Sequence, residues 1–459
     1  MFDSVRAGAK PWSRRDALRL ASNGFPFLSL TGLLAGPHHR PRAKNIIFLF
    51  MPGGVSHMES YDPKPKLVEL DGQFAKLDSY VAGPKRKWLR GLWTFQRYGQ
   101  CGAPVSELFP HTAQHVDSLA IIRSMKSEFP LHARGNVFLH TGRNVGGYPS
   151  LGSWITYGLG LENRNLPGYV LLRDAYVPPG GLENFSNGFL PAAHQATHLR
   201  DEGVPVENLT PADTDPRIQR AKLDALLAED RAFLLRQNGE DAIGSAIANT
   251  ELAYRMQSLV PDVLDLAKES EATHRLYGLD STDKPQRLYG LQCLRARRLI
   301  ESGVRFVEVT CPNLVGMNGT WDQHDHLKRD HERNALVTDK AVAGLLTDLK
   351  QRGLFEETLV VWAGEFGRTP DTGNGDGRDH HPFAFSIWIA GGGVKGGVTY
   401  GETDDVGDRI VRDPVSIHDL HATILHLLGL DHERLTYRFS GREQRLTDVH
   451  GQVVKAVLA

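Results

Sequence analysis

From Asn45 to Met51 the chain reads NIIFLFM and then stops at Pro52-Gly53-Gly54. An unbroken apolar run of strand length closed by a sharp turn is what a parallel strand buried on both faces looks like. Further runs of the same kind follow at 119–122, 303–309, 358–363 and 384–390. Between the third and fourth, residues 330–352 place Leu336, Val342, Leu345, Leu346 and Leu349 at helical spacing, with Gly353 as a C-cap. A second helix is expected from Ser416 to Leu428, ended by Gly429. Strand, helix, strand in this order predicts an α/β fold with a mostly parallel sheet. Residues 216–301 read as helical and 62–118 as insertion loops.

Composition narrows the partners. The 459 residues carry 53 Lys plus Arg against 54 Asp plus Glu, a balance that argues against a basic nucleic-acid binder. With 41% apolar residues the chain can bury a large core. Its three cysteines form no CxxC pair, which removes a zinc ribbon or a dense disulfide framework. Its 20 histidines supply metal ligands and proton carriers.

Residues 1–42 read as a targeting segment and linker. Arg14-Arg15 precedes a mild apolar stretch from Leu20 to Ala35, the pattern of a twin-arginine signal. It predicts export to the periplasm or cell envelope, with no stable transmembrane anchor after processing. Residues 43–459 are then a single domain.

In open parallel sheets ligands sit beyond the carboxyl ends of the strands. Three polar clusters are expected there. Asp322-Gln323-His324-Asp325-His326 offers carboxylate and imidazole from one loop, a set that suits zinc, manganese or iron better than calcium. Glu365 to Pro370 follows the fourth run, and Arg378-Asp379-His380-His381 precedes the fifth. Each cluster taken singly could equally be a solvated loop or a hydrogen-bonded histidine.

Other matches fail on context. Gly391–Gly396 fits GxGxxG but opens no helix. His331-Glu332 lacks the second histidine of HExxH, and no GxSxG elbow occurs. Asp371–Gly377 lacks the alternating ligands of a calcium loop.

The segments FLFMPGGVSHMESYDPKP, RSMKSEFPLHARGNVFLHTGR, CLRARRLIESGVRFVEV, TWDQHDHL, WAGEFGRTP and GRDHHPFAFSIWIAGGGVKGG together resemble the DUF1501 family. That family is similar to the alkaline phosphatase and sulfatase superfamily. The resemblance implies an alkaline-phosphatase-like three-layer α/β/α sandwich and an exported protein. It also implies a divalent metal ion (zinc, manganese, calcium or magnesium) held by Asp322, His326 and His380, with His324 beside them. A second site departs from the superfamily pattern, because Met51-Pro52-Gly53 and Glu365-Phe366 stand where Asp and Asp-His are usual; His57, Glu59 and Asp62 are candidates to compensate. Counting back from the LHTGR turn puts His132 at the sulfatase nucleophile position. His132 is therefore a catalytic candidate as acceptor, a metal ligand, or a structural donor.

Two functional classes follow. One is a metal-dependent hydrolase of phosphate or sulfate esters, with His132, Glu365 and Arg368 catalytic and His57, Arg378 and Lys395 binding an anionic ester or glycan. The other is a catalytically degenerate binding protein of the cell envelope. The sequence leaves substrate, metal and oligomeric state open.

Overall fold

Strand β1 (Asn45–Phe50) is buried along its whole length at the centre of a nine-stranded sheet. The structure, a computed structural model, describes residues 36–75, 86–200, 206, 215–236, 241–314, 320–372 and 375–459. The expected twin-arginine segment at 1–35 lies outside them.

The sheet adds β2 (Leu119–Lys126), β3 (Tyr169–Arg173), β4 (Thr197–Arg200), β5 (Phe306–Thr310), β6 (Thr358–Ala363), β9 (Phe385–Ala390), β10 (Val398–Tyr400) and β11 (Val415–Ser416). Its order is β10-β2-β9-β6-β1-β5-β3-β4, with β11 also on β2. A separate hairpin, β7 (Gly367–Thr372) with β8 (Arg378–His381), stands between β6 and β9 in sequence. Pairings in the large sheet are parallel except those of β9, which runs antiparallel to both β2 and β6.

Alternate side chains of β1 feed two cores, as a strand buried on both faces requires. Ile47 and Leu49 join the core formed with helices α4 (Asp241–Leu264), α5 (Lys284–Glu301) and α6 (Leu327–Gln351), through Val260, Leu294 and Leu345 among others. Ile46, Phe48 and Phe50 join the opposite core, with α1 (His132–Thr141), α2 (Leu151–Leu159) and α7 (Ile417–Leu427), through Phe138, Trp154 and Ile424. The expected α/β class and mostly parallel sheet are observed, with helical layers on both faces. The helix expected from Ser416 starts where Ser416 and Asp419 form a reciprocal capping box. The 62–118 region expected as loops also contains an antiparallel hairpin, Phe95–Tyr98 with Ala103–Ser106. Among the described residues no helix is long and apolar enough to cross a membrane.

The reversed strand β9 decides what lies at the functional edge. The segment before β9 meets the carboxyl ends of β1, β5 and β6, and the segment after it leaves from the opposite edge. Gly391 accordingly sits against the carbonyl of Thr358, the first residue of β6.

Candidate metal centre

Helix α1 presents His132 at its first position. Its N-cap, Leu131, is extended (φ −103°, ψ 129°) with no side-chain cap. Further along the helix, buried His140 donates from Nε2 to Glu308 Oε1 on β5 at 3.1 Å, and Tyr169 Oη donates to Glu308 Oε2 at 3.1 Å. This network ties α1 to the sheet. Burial opposes the charged form of His140, but Glu308 outweighs it and raises the pKa.

The loop after β5 brings Asp322 to the same edge. Three imidazole Nε2 atoms surround its Oδ1: His132 at 3.1 Å, His324 at 3.1 Å and His380 at 3.2 Å. His324 and His380 Nε2 atoms face each other at 3.0 Å. Donor atoms on a tetrahedral zinc stand about 3.3 Å apart, from bond lengths of about 2.0–2.1 Å. His132, Asp322 and His380 form one compact three-ligand set, and His324, Asp379 and His380 form a second that overlaps it.

Two of the three imidazoles are held by their other nitrogen. His132 Nδ1 lies 2.6 Å from Glu365 Oε1, and His380 Nδ1 donates to the Pro130 carbonyl at 2.6 Å. His324 Nδ1 faces Asp379 Oδ1 at 3.6 Å. For His132 and His380 the oxygen partner on Nδ1 favours the tautomer that leaves Nε2 with a lone pair, the arrangement of metal-binding histidines. His132 Nε2 is buried and makes no aligned hydrogen bond, although Asp322 is within contact distance. An orphaned imidazole nitrogen aimed at a carboxylate fits a cation, so these residues suit a divalent ion. Burial works against ionised Asp322, but the three histidines and then Arg368 hold its carboxyl far below the usual carboxylate range. Burial likewise opposes charged His132, yet Asp322 and Glu365 hold its pKa up at about 9.

Glu365 is fully buried, and both its carboxylate oxygens accept from the Gly53 N–H, at 2.9 and 3.1 Å. Gly53 has φ +109°, and a Cβ there would stand 2.5 Å from Trp321 N and 2.7 Å from Asp322 N. Only glycine permits that approach. Arg368 is also fully buried. It donates to the carbonyls of Gly53, Gly54 and Arg378, and to Asp322 Oδ1 at 2.6 Å. It therefore fastens three loops together and positions Asp322. Phe366 packs against both His132 and His380, ring centroids 4.9 and 4.8 Å away, while the two imidazoles meet each other at 4.2 Å.

Several expected site residues stand elsewhere. His326 is exposed, with φ +53°, as the N-cap of α6, so its side chain is outside the cluster. His132 supplies the imidazole expected from it. Lys395 follows β9 at the opposite edge of the sheet, where its N–H bonds to the Val457 carbonyl at 2.8 Å. Arg378 is buried against Glu59, Nη2 to Oε1 at 2.7 Å, and has no free face for an anion. His57 is buried with its Nε2 on the Gly407 carbonyl at 2.9 Å. Asp62 pairs with Lys64 at 3.0 Å. None of His57, Glu59 or Asp62 completes a second metal site. Asp379 belongs to the third polar cluster expected from sequence, without a ligand role of its own, and nothing in the sequence points to the Pro130 carbonyl.

No curated protein matches the chain. Among solved structures it is similar to a phosphonate monoester hydrolase from Silicibacter pomeroyi, at 12% identity over 91% of this chain and 76% of that one, with a TM-score of 0.40. A sulfatase from a Pseudoalteromonas species shows 13% identity over 92% and 73%, with a TM-score of 0.37. A protein in the alkaline phosphatase superfamily from Vibrio parahaemolyticus shows 10% identity over 86% and 69%, also with a TM-score of 0.37. The quoted segments, spread from the first strand to the His380 hairpin, all lie within one family match over residues 43–458: the chain belongs to DUF1501, described as a protein of unknown function.

Proposed function

We propose that the protein is an exported metal-dependent hydrolase of phosphate or sulfate esters. The observation that carries this reading is the set His132, Asp322 and His380, each histidine already turned and held for a cation at the carboxyl edge of the sheet. Three protein ligands leave a position open for substrate, as catalytic sites do. A bound divalent cation supplies Lewis-acid polarisation of an ester oxygen. The chain's own groups do the rest. Glu365 holds His132 in one tautomer, Arg368 keeps Asp322 ionised, and buried Phe366 backs the rings of His132 and His380. His324 is the most open of the three imidazoles, 35% exposed against 16% for His132 and 15% for His380. It is the group placed to pass a proton to the departing alcohol.

The second reading, an envelope binding protein on the same fold, is favoured by one observation. The position of the sulfatase nucleophile holds His132, whose Nδ1 is held by Glu365 and whose Nε2 faces the Asp322 carboxylate, so neither nitrogen faces outward as an acceptor. Metal content of the wild type, His132→Ala, His380→Ala and His326→Ala, with turnover of aryl phosphates and aryl sulfates, separates the readings. Loss of metal in the first two variants and not the third, with turnover in the wild type, is expected. Metal without turnover of any ester favours the binding protein. Full metal in His132→Ala and His380→Ala overturns the site.

A further inference from the structure

We propose that the ester taken by this site carries an apolar group, seated on Leu131, Phe383 and Val177 beside the reacting centre. This rests on the hydrolase reading above and names its substrate class. Single exposed apolar residues are ordinary on a protein surface. These three differ in being joined to the site. Leu131, 59% exposed, immediately precedes His132. Phe383, 45% exposed, lies three residues beyond His380. Their two loops are hydrogen-bonded to each other, His380 Nδ1 to the Pro130 carbonyl at 2.6 Å and Ser127 N to the Pro382 carbonyl at 2.7 Å.

Val177, 38% exposed, arrives from the carboxyl end of β3. Arg173 Nη1 donates to the carbonyls of Asp174 at 2.9 Å and Tyr176 at 3.2 Å. Asp174 accepts from Tyr176 N at 2.9 Å and from Asn313 N at 3.2 Å, which holds this loop to the one after β5. Asn136 Nδ2 then donates to the Pro179 carbonyl at 2.9 Å, fastening the loop to α1. The fields of Glu365 and Asp322 reach neighbouring Tyr176, whose hydroxyl burial and those charges push up to about 12. Three loops, tied to one another and to α1, thus each carry one exposed aliphatic or aromatic side chain close in sequence to residues at or beside the site.

Charge points the same way. A polyanionic glycan needs several free cations, and the arginines nearest the centre are spent inside the protein. Arg368 serves loop carbonyls and Asp322, and Arg378 serves Glu59. Arg86 pairs with Asp379 at 2.5 Å and Asp371 at 3.4 Å. Arg134 is exposed but two positions along α1 from His132, hence on the other side of the helix.

Calorimetry of the full chain, loaded with zinc, with ethyl-, butyl-, hexyl- and octylphosphonate tests the proposal without requiring turnover. Affinity should rise roughly two- to fourfold per methylene until the apolar rim is covered. Leu131→Ser, Phe383→Ser and Val177→Ser should each lower that slope. A flat series, no binding at any length, an unchanged slope in all three variants, or tighter binding of a sulfated oligosaccharide than of octylphosphonate overturns it. A steep slope with no ester turned over would refute the hydrolase reading and keep only the apolar seat, as a binding surface for such ligands. Turnover with a flat slope would do the reverse.

Discussion

Glu365 Oε1 lies 2.6 Å from His132 Nδ1, joining the loop after β6 to the first turn of α1. The same carboxylate caps the Gly53 N–H after β1. One buried side chain therefore sets the direction of a ligand contributed by a distant part of the sequence. Partners of this kind typically govern metal affinity by 10- to 100-fold. Glu365→Gln keeps the size and an oxygen for Gly53, but its neutral amide no longer favours the Nδ1–H tautomer of His132. The expected result is a 10- to 100-fold weaker zinc affinity in a metal-free protein that still folds, somewhat less stably below pH 9 because His132 loses its carboxylate partner. Unaltered affinity would show that Glu365 does not act through His132.

Gly53→Ala should damage fold and site together. The added Cβ meets backbone rather than a flexible side chain, and φ +109° is strained for any L residue. A loss of about 2–4 kcal/mol is expected. Because the clash is with the backbone of Trp321 and Asp322, zinc affinity should fall in the same variant. Gly72→Ala is the control: it also has positive φ, +74°, but nothing within 4 Å. It should cost about 1 kcal/mol and leave the metal in place. Equal behaviour of the two variants in denaturant titration and metal analysis would refute the argument.

The strands were legible because a strand buried on both faces has no other way to be written than as an apolar run. Phe306–Thr310 and Phe385–Ala390 were both found, within three residues at their ends. Direction is not written there, since an apolar run reads the same whichever way the strand points. The antiparallel course of β9 is what takes Lys395 away from the site and brings His380 into it. Asp322 and His326 share a loop and a suggestive spacing, yet helix α6 begins at Leu327 and its left-handed N-cap turns His326 out. His132 occupies the place instead, through a contact across 190 residues that no local pattern encodes.

Export is the one expectation that rests on residues 1–35 alone. The Tat route reads the arginine pair itself, so Arg14→Lys with Arg15→Lys keeps the charge and removes the signal. The double variant should stay in the cytoplasm while the parent reaches the periplasm or cell envelope, as fractionation and immunoblotting would report. Undiminished export of the double variant would remove the twin-arginine assignment.

Acid should destabilise the protein well above the carboxylate range. His57 and His421 are 0% and 1% exposed, and burial presses both pKa values from 6.5 to about 3. Neither is a member of the metal cluster. In the unfolded chain each takes up a proton near pH 6.5, whereas in the fold each stays neutral until about pH 3. The unfolded state therefore binds more protons across this window, and stability falls as pH drops through it. By pH 5 each residue withdraws about 2 kcal/mol. His421 Nε2 donates to the Leu139 carbonyl at 2.7 Å, so His421→Gln can keep a donor there without a group that titrates. Its acid unfolding midpoint, followed by circular dichroism on metal-free protein, should lie below that of the wild type, even if stability at pH 8 is reduced by imperfect packing. A midpoint that stays put or rises would show that the acid transition belongs to other groups.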